Sequence, residues 1–341
     1  MPASEPSWWY GPEGGWQALL LSPAAALVGG IAARRIRNGN PYRASLPVIC
    51  AGNFTAGGSG KTPLALFLAQ LIAEEDRDPW FLTRGYGGKL AGPVRVDPAR
   101  HTARDVGDEP LLLARAAPTV VSRDRGRGAK AIEAMASKKA VIIMDDGLQN
   151  PGLAKDLAIA IVDRQRGFGN GWVIPAGPLR APLDVQGKLA HLIVLTGQGA
   201  ADASLLKRLS AISSAPVIAA GIRADGDAQR FQNQKVIAFA GIANPERFFA
   251  TLNSVGANVV ARRAFADHHM FTEAEARELL ADAERSGALL VTTEKDLARL
   301  AGATGARGVL RDRAQALAIR ATIEDNDLGV LRSLIRSAIA R

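Results

Sequence analysis

Residues 55–62 read Thr-Ala-Gly-Gly-Ser-Gly-Lys-Thr, and this short segment limits the possible folds of the chain more than any other. An apolar run at 46–51 precedes it and predicts a strand, and apolar residues at helical spacing follow it. A strand, a glycine-rich loop and a helix in this order are typical of a phosphate-binding loop, because glycines let backbone N–H groups approach a polyphosphate. The sequence therefore predicts a nucleoside triphosphate site at this loop.

Each residue type in the loop has a defined task. Lys61 is predicted to reach the β- and γ-phosphates, and the Thr62 hydroxyl is predicted to bind Mg²⁺. Thr55 stands where the usual pattern has its first glycine, so a glycine-rich turn with a chance Gly-Lys-Thr is the alternative. The flanking strand and helix favour the nucleotide loop. The predicted nucleotide-binding residues are Thr55, Ala56, Gly57, Gly58, Ser59, Gly60, Lys61 and Thr62.

A second chemical landmark is the segment 140–149, in which an apolar run ends in Asp145 and Asp146. A carboxylate at the carboxyl end of a strand, near a phosphate-binding loop, is placed to hold Mg²⁺. Successive side chains on a strand point to opposite faces, so both acids can contribute only if the strand ends there. The alternative is a strand-terminating Asp-Asp-Gly turn. The metal ligands predicted from these patterns are Thr62, Asp145 and Asp146.

Short apolar runs alternate with helical stretches along most of the chain. This pattern predicts an α/β fold with a mostly parallel, P-loop NTPase-like sheet covered on both faces. A polar patch at 223–234 separates it from a second α/β set, and 341 residues favour two domains over one. The predicted strands are 46–51, 80–83, 140–144, 157–162, 191–195 and 217–220, then 236–240, 259–262 and 289–292. The predicted division is an N-terminal segment at 1–40, a P-loop domain at 41–228 and a smaller domain at 229–341.

Aromatic residues and arginines flank an apolar run at 18–33. Such edges are typical of a segment anchored at a bilayer interface, with its basic side cytoplasmic. The run is shorter than the ~20 residues of a spanning helix, and Pro23, Gly29 and Gly30 interrupt it. The sequence therefore favours interfacial or shallow insertion over a buried core helix or a true span. The flanking residues are Trp8, Trp9, Tyr10 and Trp16 before the run, and Arg34, Arg35 and Arg37 at its end.

Charge and cysteine content narrow the partners. The formal net charge of +9 suits nucleic acid, an anionic membrane surface or a phosphorylated substrate. The basic residues are spread along the chain without a recognised nucleic-acid-binding motif, so no nucleic-acid partner is predicted, and no protein partner is indicated. The single cysteine, Cys50, excludes an intrachain disulfide, and four histidines without a cysteine cluster do not support zinc.

Taken together, these motifs resemble the tetraacyldisaccharide 4'-kinase family of lipid A biosynthesis. The match runs through nearly the whole chain in order, which is more specific than any single motif. The segments that carry it lie at 52–63, 84–88, 107–110, 145–149, 166–171, 175–180, 239–242, 267–269 and 292–296. Thr55 is similar to the family's own loop variant. The departures are Leu148 and Asn150, where Phe and His are more usual, and Thr83, where Ser is common.

The resemblance implies transfer of the γ-phosphate of ATP to the 4'-hydroxyl of a tetraacylated glucosamine disaccharide 1-phosphate, which gives lipid IVA. It implies two α/β/α domains, the smaller of which closes over the active site. It also implies an N-terminal helix at the cytoplasmic face of the inner membrane, peripheral or shallowly inserted, which agrees with the aromatic and arginine edges of the apolar run.

The resemblance further implies roles for individual residues. Lys61 is expected to be catalytic, Asp108 to act as base on the sugar hydroxyl, and His268 to orient that base. Spacing alone allows another role for Asp108, as the N-cap of a helix at 109–116. The possible substrate or phosphate contacts are Arg84, Arg180, Asp267 and Lys295.

Two other classes of protein share part of this pattern. One is a membrane-recruited P-loop ATPase that acts as a switch, but such proteins often carry a lysine where Ala56 stands. The other is a nucleotide-dependent binding module without turnover, which does not need the acid pair and the histidine.

Overall fold

The computed structural model describes residues 5–11, 15–57, 60–197, 199 and 202–340, so Gly58 and Ser59 of the predicted nucleotide loop lie outside the described residues. Two sheets organise this part of the chain, one of nine strands and one of four. The strands are β1 Val48–Asn53, β2 Asp78–Thr83, β3 Val94–Arg95, β4 Thr119–Val121, β5 Ala140–Asp145, β6 Leu157–Asp163, β7 Leu192–Thr196, β8 Val217–Ala224, β9 Lys235–Ala240, β10 Asn258–Ala264, β11 Leu289–Thr293, β12 Ala314–Leu317 and β13 Ile319–Ile323.

Helices connect most of these strands. The α-helices are α1 Gly15–Arg37, α2 Lys61–Glu74, α3 Ala103–Val106, α4 Asp108–Ala116, α5 Arg125–Met135, α6 Leu183–Gln186, α7 Ala203–Ile212, α8 Pro245–Ser254, α9 Glu273–Ser286, α10 Glu294–Arg299, α11 Gly305–Arg313 and α12 Asp325–Ile339. Short 3₁₀ helices lie at Ser7–Tyr10, Gly187–Leu189 and Gly226–Phe231.

The larger sheet has the order β13-β8-β7-β6-β1-β5-β2-β4-β3, and only its two edge strands are antiparallel to their neighbours. All six residues of the central strand β1 are buried because helices cover both faces. Ile49 packs with Leu64 of α2 on one face, and Cys50 packs with Met144 on the other. The loops after β1, β2 and β5 therefore meet at the same edge of the sheet, where α/β proteins bind ligands.

The smaller sheet has the order β10-β9-β11-β12, with every neighbouring pair parallel. Helices α8 and α9 pack on it and bury Phe249 and Leu279 in separate cores. The α/β class predicted from the sequence, with a mostly parallel first sheet, is confirmed.

The end of the chain departs from the predicted domain range 229–341. Strand β13 pairs antiparallel with β8, so that Ala321 faces Ile222, and it therefore belongs to the larger sheet. Helix α12 follows it and buries Leu331 and Ile335 in the core of that sheet. The predicted range 229–341 would leave β8 as an open edge of the larger sheet, whereas pairing with β13 covers that edge.

Helix α1 is longer than the apolar run in the sequence. It continues through Pro23, because the Leu19 carbonyl that loses its usual N–H donor accepts the Ser22 hydroxyl at 2.8 Å instead. Small residues such as Ala25 and Gly29 form its buried face, and Gly29 lies against Pro182. Among the described residues, α1 is the one helix that is long and apolar enough to cross a membrane, judged by length and composition only.

Candidate active site

The loop after β1 begins in an extended conformation. Thr55 forms a β-bridge with Leu179, and the Ala56 N–H donates to the Pro178 carbonyl at 2.7 Å. Because Thr55 is extended, it does not need the glycine of the usual pattern. Gly57 and Gly60 have φ angles of +96° and +85°, in the region that favours glycine. The Ala56 amide predicted to bind nucleotide is therefore already bonded to the protein itself.

Lys61 opens helix α2 and is nearly buried, with 9% of its surface exposed. Its ammonium group donates to Asn53 Oδ1 at 3.2 Å and to the Gly57 carbonyl at 3.4 Å, and lies 3.8 Å from Asp146 Oδ1. The cation is therefore held over the loop rather than extended into solvent. Thr62 follows it and is also buried.

The two acids at the end of β5 have different surroundings. Asp146 adopts a φ of +52°, which turns its side chain out of the strand. Its carboxylate accepts two hydrogen bonds from Arg180, at 2.7 and 3.0 Å. Although burial opposes ionisation, Lys61 and Arg180 lower the pKa of Asp146 to about 2. The strand ends at Asp145, as simultaneous use of both acids requires.

Asp145 is buried and almost unpaired. Its Oδ2 accepts a 3.3 Å hydrogen bond from the Thr83 hydroxyl, and its Oδ1 has no partner among the described residues. Burial first, then the negative charges of Glu109 and Asp146, raise the pKa of Asp145 to about 7. Such a carboxylate gains most from a nearby cation.

Asp108 is the first residue of α4, and Gly107 precedes it as N-cap. Asp108 Oδ1 accepts only from the adjacent Glu109 N–H, so the capping role allowed by spacing is wrong. Its Oδ2 accepts from Arg299 Nε at 2.7 Å and lies 3.1 Å from His268 Nδ1. Burial opposes the charge of Asp108, but His268 and Arg299 outweigh it and hold its pKa well below the ordinary value.

Arg299 joins this acid to the smaller sheet and is not among the residues predicted from the sequence. One guanidinium nitrogen donates to Asp296 Oδ1 and to the Gly241 carbonyl, both at 2.7 Å. Asp296 is fully buried, and its Oδ1 also accepts from the Gly241 N–H at 3.0 Å. The three-residue spacing of Asp296 and Arg299 places both on one helix face, which is the signal that could have indicated the pair.

A second ion pair also crosses between the sheets. Lys295 Nζ lies 2.5 Å from Glu109 Oε1. Burial works against the charge of Lys295, but Glu109 and Asp108 raise its pKa above the ordinary value. The negative charge of Glu109 also raises the pKa of Asp145, so the acids beside the phosphate-binding loop and those near Asp108 interact electrostatically. Glu109 is a further site residue that was not assigned a role from the sequence.

His268 lies in the loop after β10, with a φ of +55°. Its ring is 5.3 Å from the ring of Tyr86, and its Nε2 is 3.8 Å from Asp267 Oδ2. The hydrogen bond to Asp108 raises the pKa of His268, and partial burial opposes that rise. Arg84 is exposed at the start of the loop that carries Tyr86.

The site therefore has two connected parts. The larger sheet supplies the glycine loop with Lys61, Asp145 and Asp146, and the smaller sheet supplies His268 and Arg299 to Asp108. Among the described residues there is no group of three or more His, Cys, Asp or Glu side chains placed to hold a metal ion. A glycine loop before a helix, a buried lysine and an acid on the neighbouring strand define the class of P-loop phosphotransferases.

Comparison with known proteins narrows this class. A sequence model described as LpxK, tetraacyldisaccharide-1-P 4'-kinase, matches residues 17–338. The chain belongs to this family, and the kinase class predicted from the sequence is confirmed. The tetraacyldisaccharide 4'-kinase of Bradyrhizobium sp. is 46% identical over 98% of this chain and 95% of the relative. That of Parvibaculum lavamentivorans is 47% identical over 99% and 98%.

A solved structure supports the same assignment. The crystal structure of LpxK from Aquifex aeolicus in complex with ATP is similar to this fold with a TM-score of 0.72. The two sequences are 25% identical, and the match covers 94% of this chain and 99% of that chain.

Proposed function

We propose that this chain transfers the γ-phosphate of ATP to the 4'-hydroxyl of a tetraacyldisaccharide 1-phosphate and so forms lipid IVA. The observation that carries the proposal is the contact of Asp108 with His268 and Arg299. These contacts hold the Asp108 carboxylate between the two sheets, close enough to the acids beside the phosphate-binding loop to interact with them, and this supports a role for Asp108 as acceptor of a hydroxyl proton. Family membership supplies the substrate class.

Lys61 is the cation for the β- and γ-phosphates of ATP. Its hydrogen-bond partners, the Asn53 amide oxygen and the Gly57 carbonyl, are neutral and more than 3 Å away, and the Asp146 carboxylate lies further off at 3.8 Å. An anionic phosphate oxygen is a stronger partner than either, because hydrogen bonds between charged groups are about twice as strong as neutral ones. The left-handed backbone of Gly57 and Gly60 lets their N–H groups approach the phosphates, as predicted. The positive end of the α2 dipole also attracts the phosphates.

Mg²⁺ suits the residues present, and Asp145 is its better direct ligand. The buried, unpartnered Oδ1 and the raised pKa of Asp145 both describe a carboxylate whose charge the neighbouring cations do not offset. Asp146 is already paired with Arg180 through both oxygens, so it organises the loop instead. The Thr62 hydroxyl would be the second protein ligand. When bound, Mg²⁺ would neutralise charge that develops on the transferred phosphoryl group.

Asp108 accepts the proton of the sugar hydroxyl. Its low pKa makes it a weak base towards a free alcohol. In a loose phosphoryl-transfer transition state, the alcohol becomes acidic only as its oxygen bonds to phosphorus. Asp108 therefore orients the hydroxyl first and takes its proton late, while His268 and Arg299 fix the carboxylate.

The four residues predicted as substrate or phosphate contacts differ in exposure and in their present partners. Arg84 is exposed and available to a phosphate of the lipid. Arg180 and Lys295 are engaged with Asp146 and Glu109, so they act mainly by placing these acids. Asp267 lies beside the second ring nitrogen of His268 and helps to orient the ring.

We further propose that helix α1 holds the enzyme at the cytoplasmic face of the inner membrane, in a peripheral or shallowly inserted position. Large apolar side chains project from it, with 67–70% of Trp16, Leu19, Leu20 and Leu27 exposed. Its opposite face packs on the protein through small residues, which favours lying at the interface over spanning it. Four acyl chains are costly to remove from a bilayer, at ~0.8 kcal/mol per buried CH₂, so the enzyme must reach its substrate there.

A direct assay tests the proposal. The purified protein is incubated with γ-labelled ATP, Mg²⁺ and the lipid disaccharide 1-phosphate in detergent, and label on the lipid is measured. We expect transfer by the wild type, near loss of transfer in Lys61→Ala, and full transfer in the control Lys207→Ala, an exposed lysine on α7. Absence of lipid labelling by the wild type, or wild-type turnover by folded Lys61→Ala, would refute the assignment.

A further inference from the structure

The segment before α1 packs against the loop at 166–180, which follows β6 and is distinct from the phosphate-binding loop. We call residues 5–11 the N-terminal strap. The Asn170 N–H donates to the Trp9 carbonyl at 2.7 Å, and Trp9 Nε1 donates to the Pro175 carbonyl at 3.2 Å. Gly169 has a φ of +57°, and a Cβ on it would lie 2.5 Å from the Trp9 carbonyl oxygen. The loop is therefore shaped to receive the strap.

The docked strap presents the Glu5 carboxylate to a basic side chain. Glu5 Oε2 accepts from Arg166 Nη1 at 2.8 Å and from the Tyr10 hydroxyl at 3.0 Å. The Arg166 guanidinium also lies 4.8 Å from the centre of the Tyr10 ring. Because 19% of the Glu5 side chain is exposed, this pair is shielded from water more than an ordinary surface ion pair.

The other carboxylate oxygen of Glu5, Oε1, contacts the phosphate-binding loop. Glu5 Oε1 is buried and has no hydrogen-bond partner among the described residues. A Cβ built on Gly57 would lie only 1.7 Å from it, so the oxygen directly contacts the first left-handed glycine of the loop. A loop of this kind is built to receive anions, and the group that approaches it is an anion of the chain itself.

We propose that Glu5 is an internal competitor of the nucleotide, and that ATP binds productively only after the strap has withdrawn this carboxylate. The inference rests on the proposed binding of ATP at the loop. A carboxylate and a polyphosphate at one small site repel each other, so the two occupants exclude one another. Release of Glu5 also frees Arg166 to face the phosphates, which converts an internal ion pair into a ligand contact.

The apparent affinity for ATP is then lowered by the free energy needed to open the strap. It equals the intrinsic affinity multiplied by the fraction of molecules with the strap open. Glu5→Gln keeps the size of the side chain but removes its charge. If one charged contact keeps the strap closed in about nine of ten molecules, this variant should bind ATP about tenfold more tightly. Tyr10→Phe removes one hydrogen bond, keeps the ring beside Arg166, and should give a smaller gain.

Equilibrium binding of ATP to the full chain tests these expectations. The matched control is Glu278→Gln, an exposed glutamate on α9 of the smaller domain, which should leave affinity unchanged. Unchanged or weaker binding by Glu5→Gln, alongside wild-type binding that Lys61→Ala abolishes, would overturn the competitor role and leave the proposed function intact. If the wild type itself does not bind ATP, both inferences are overturned.

Hydrogen exchange of the strap gives a second, independent readout. In the wild type, ATP should accelerate exchange of the backbone amides in 5–11, because the docked strap is displaced. In Glu5→Gln, exchange should already be faster without ATP. Greater protection of the strap on addition of ATP would mean that the strap closes on the nucleotide, which contradicts the proposal.

Discussion

Replacement of Asp108 by asparagine tests the centre of the site, since the side chain keeps its shape and loses its charge. Asp108 has 3% of its surface exposed and is bonded to Arg299 and His268. Breaking a buried ion pair by removing one partner costs about 3–5 kcal/mol. Arg299 retains Asp296 as its second anion, so we expect the lower end, about 3 kcal/mol.

The expected consequences are both thermal and kinetic. At roughly 2–4 °C per kcal/mol, the melting temperature of Asp108→Asn should fall by about 6 °C or more. Loss of a positioned proton acceptor should lower kcat by roughly 10² to 10⁴. His268→Asn should share the kinetic defect, and the double variant should lose far less than the product of the single effects.

The assay measures melting temperature and kcat for each variant beside a matched acid. Asp105→Asn is that control, because Asp105 lies three residues before Asp108 and forms a capping box with Thr102 at the start of α3. It should lower the melting temperature far less than Asp108→Asn does and leave kcat unchanged. Wild-type kcat in Asp108→Asn would refute the proton-acceptor role, and an unchanged melting temperature would refute the buried ion-pair reasoning.

Four further predictions concern other parts of the structure. Asp145→Asn should raise the Mg²⁺ concentration needed for half-maximal activity and keep or raise the melting temperature, because a like charge is removed. Asp146→Asn should instead lower the melting temperature, because its two bonds to Arg180 are weakened. Leu19→Gln with Leu20→Gln on α1 should reduce sedimentation with vesicles and raise KM for lipid but not for ATP. Because the folded-state pKa of His268 is raised, its stabilisation is complete below pH ~6.5 and is lost as pH rises through that pKa. The difference in melting temperature between wild type and His268→Asn should therefore shrink from pH 6 to pH 9.

Each of these predictions has a control or a result that would contradict it. Leu206→Gln, an exposed leucine on α7, is the control for membrane binding and should sediment as the wild type does. Full sedimentation of the α1 variant would place the membrane contact elsewhere. Equal Mg²⁺ requirements for wild type and Asp145→Asn would contradict its role as ligand. A difference in melting temperature that is constant with pH would contradict a raised pKa for His268.

Features with a local cause could be read from the sequence. The glycine loop was predictable because strand, turn and helix follow each other within about thirty residues and each has its own pattern. Asp145 and Asp146 could be placed because an apolar strand ends there. Buried parallel strands form continuous apolar runs, which gave most strands of both sheets. The base role of Asp108 and its partner His268 came from the family resemblance, since 160 residues separate them.

Other features depend on contacts between distant segments. The bond from Arg299 to Asp108 spans 191 residues, and although the spacing of Arg299 from Asp296 indicates a pair on one helix face, nothing local indicates Asp108 as its partner. The pairing of β13 with β8 likewise returns the end of the chain to the first sheet, although the order of elements predicts that it stays with the second. Glu5 reaches the phosphate-binding loop only because the strap docks on the loop near Asn170 and Pro175. Residue patterns determine which elements form and which chemistry they carry. The packing of the two sheets decides which charges meet, because buried charges are stabilised only by the partners that the fold brings to them.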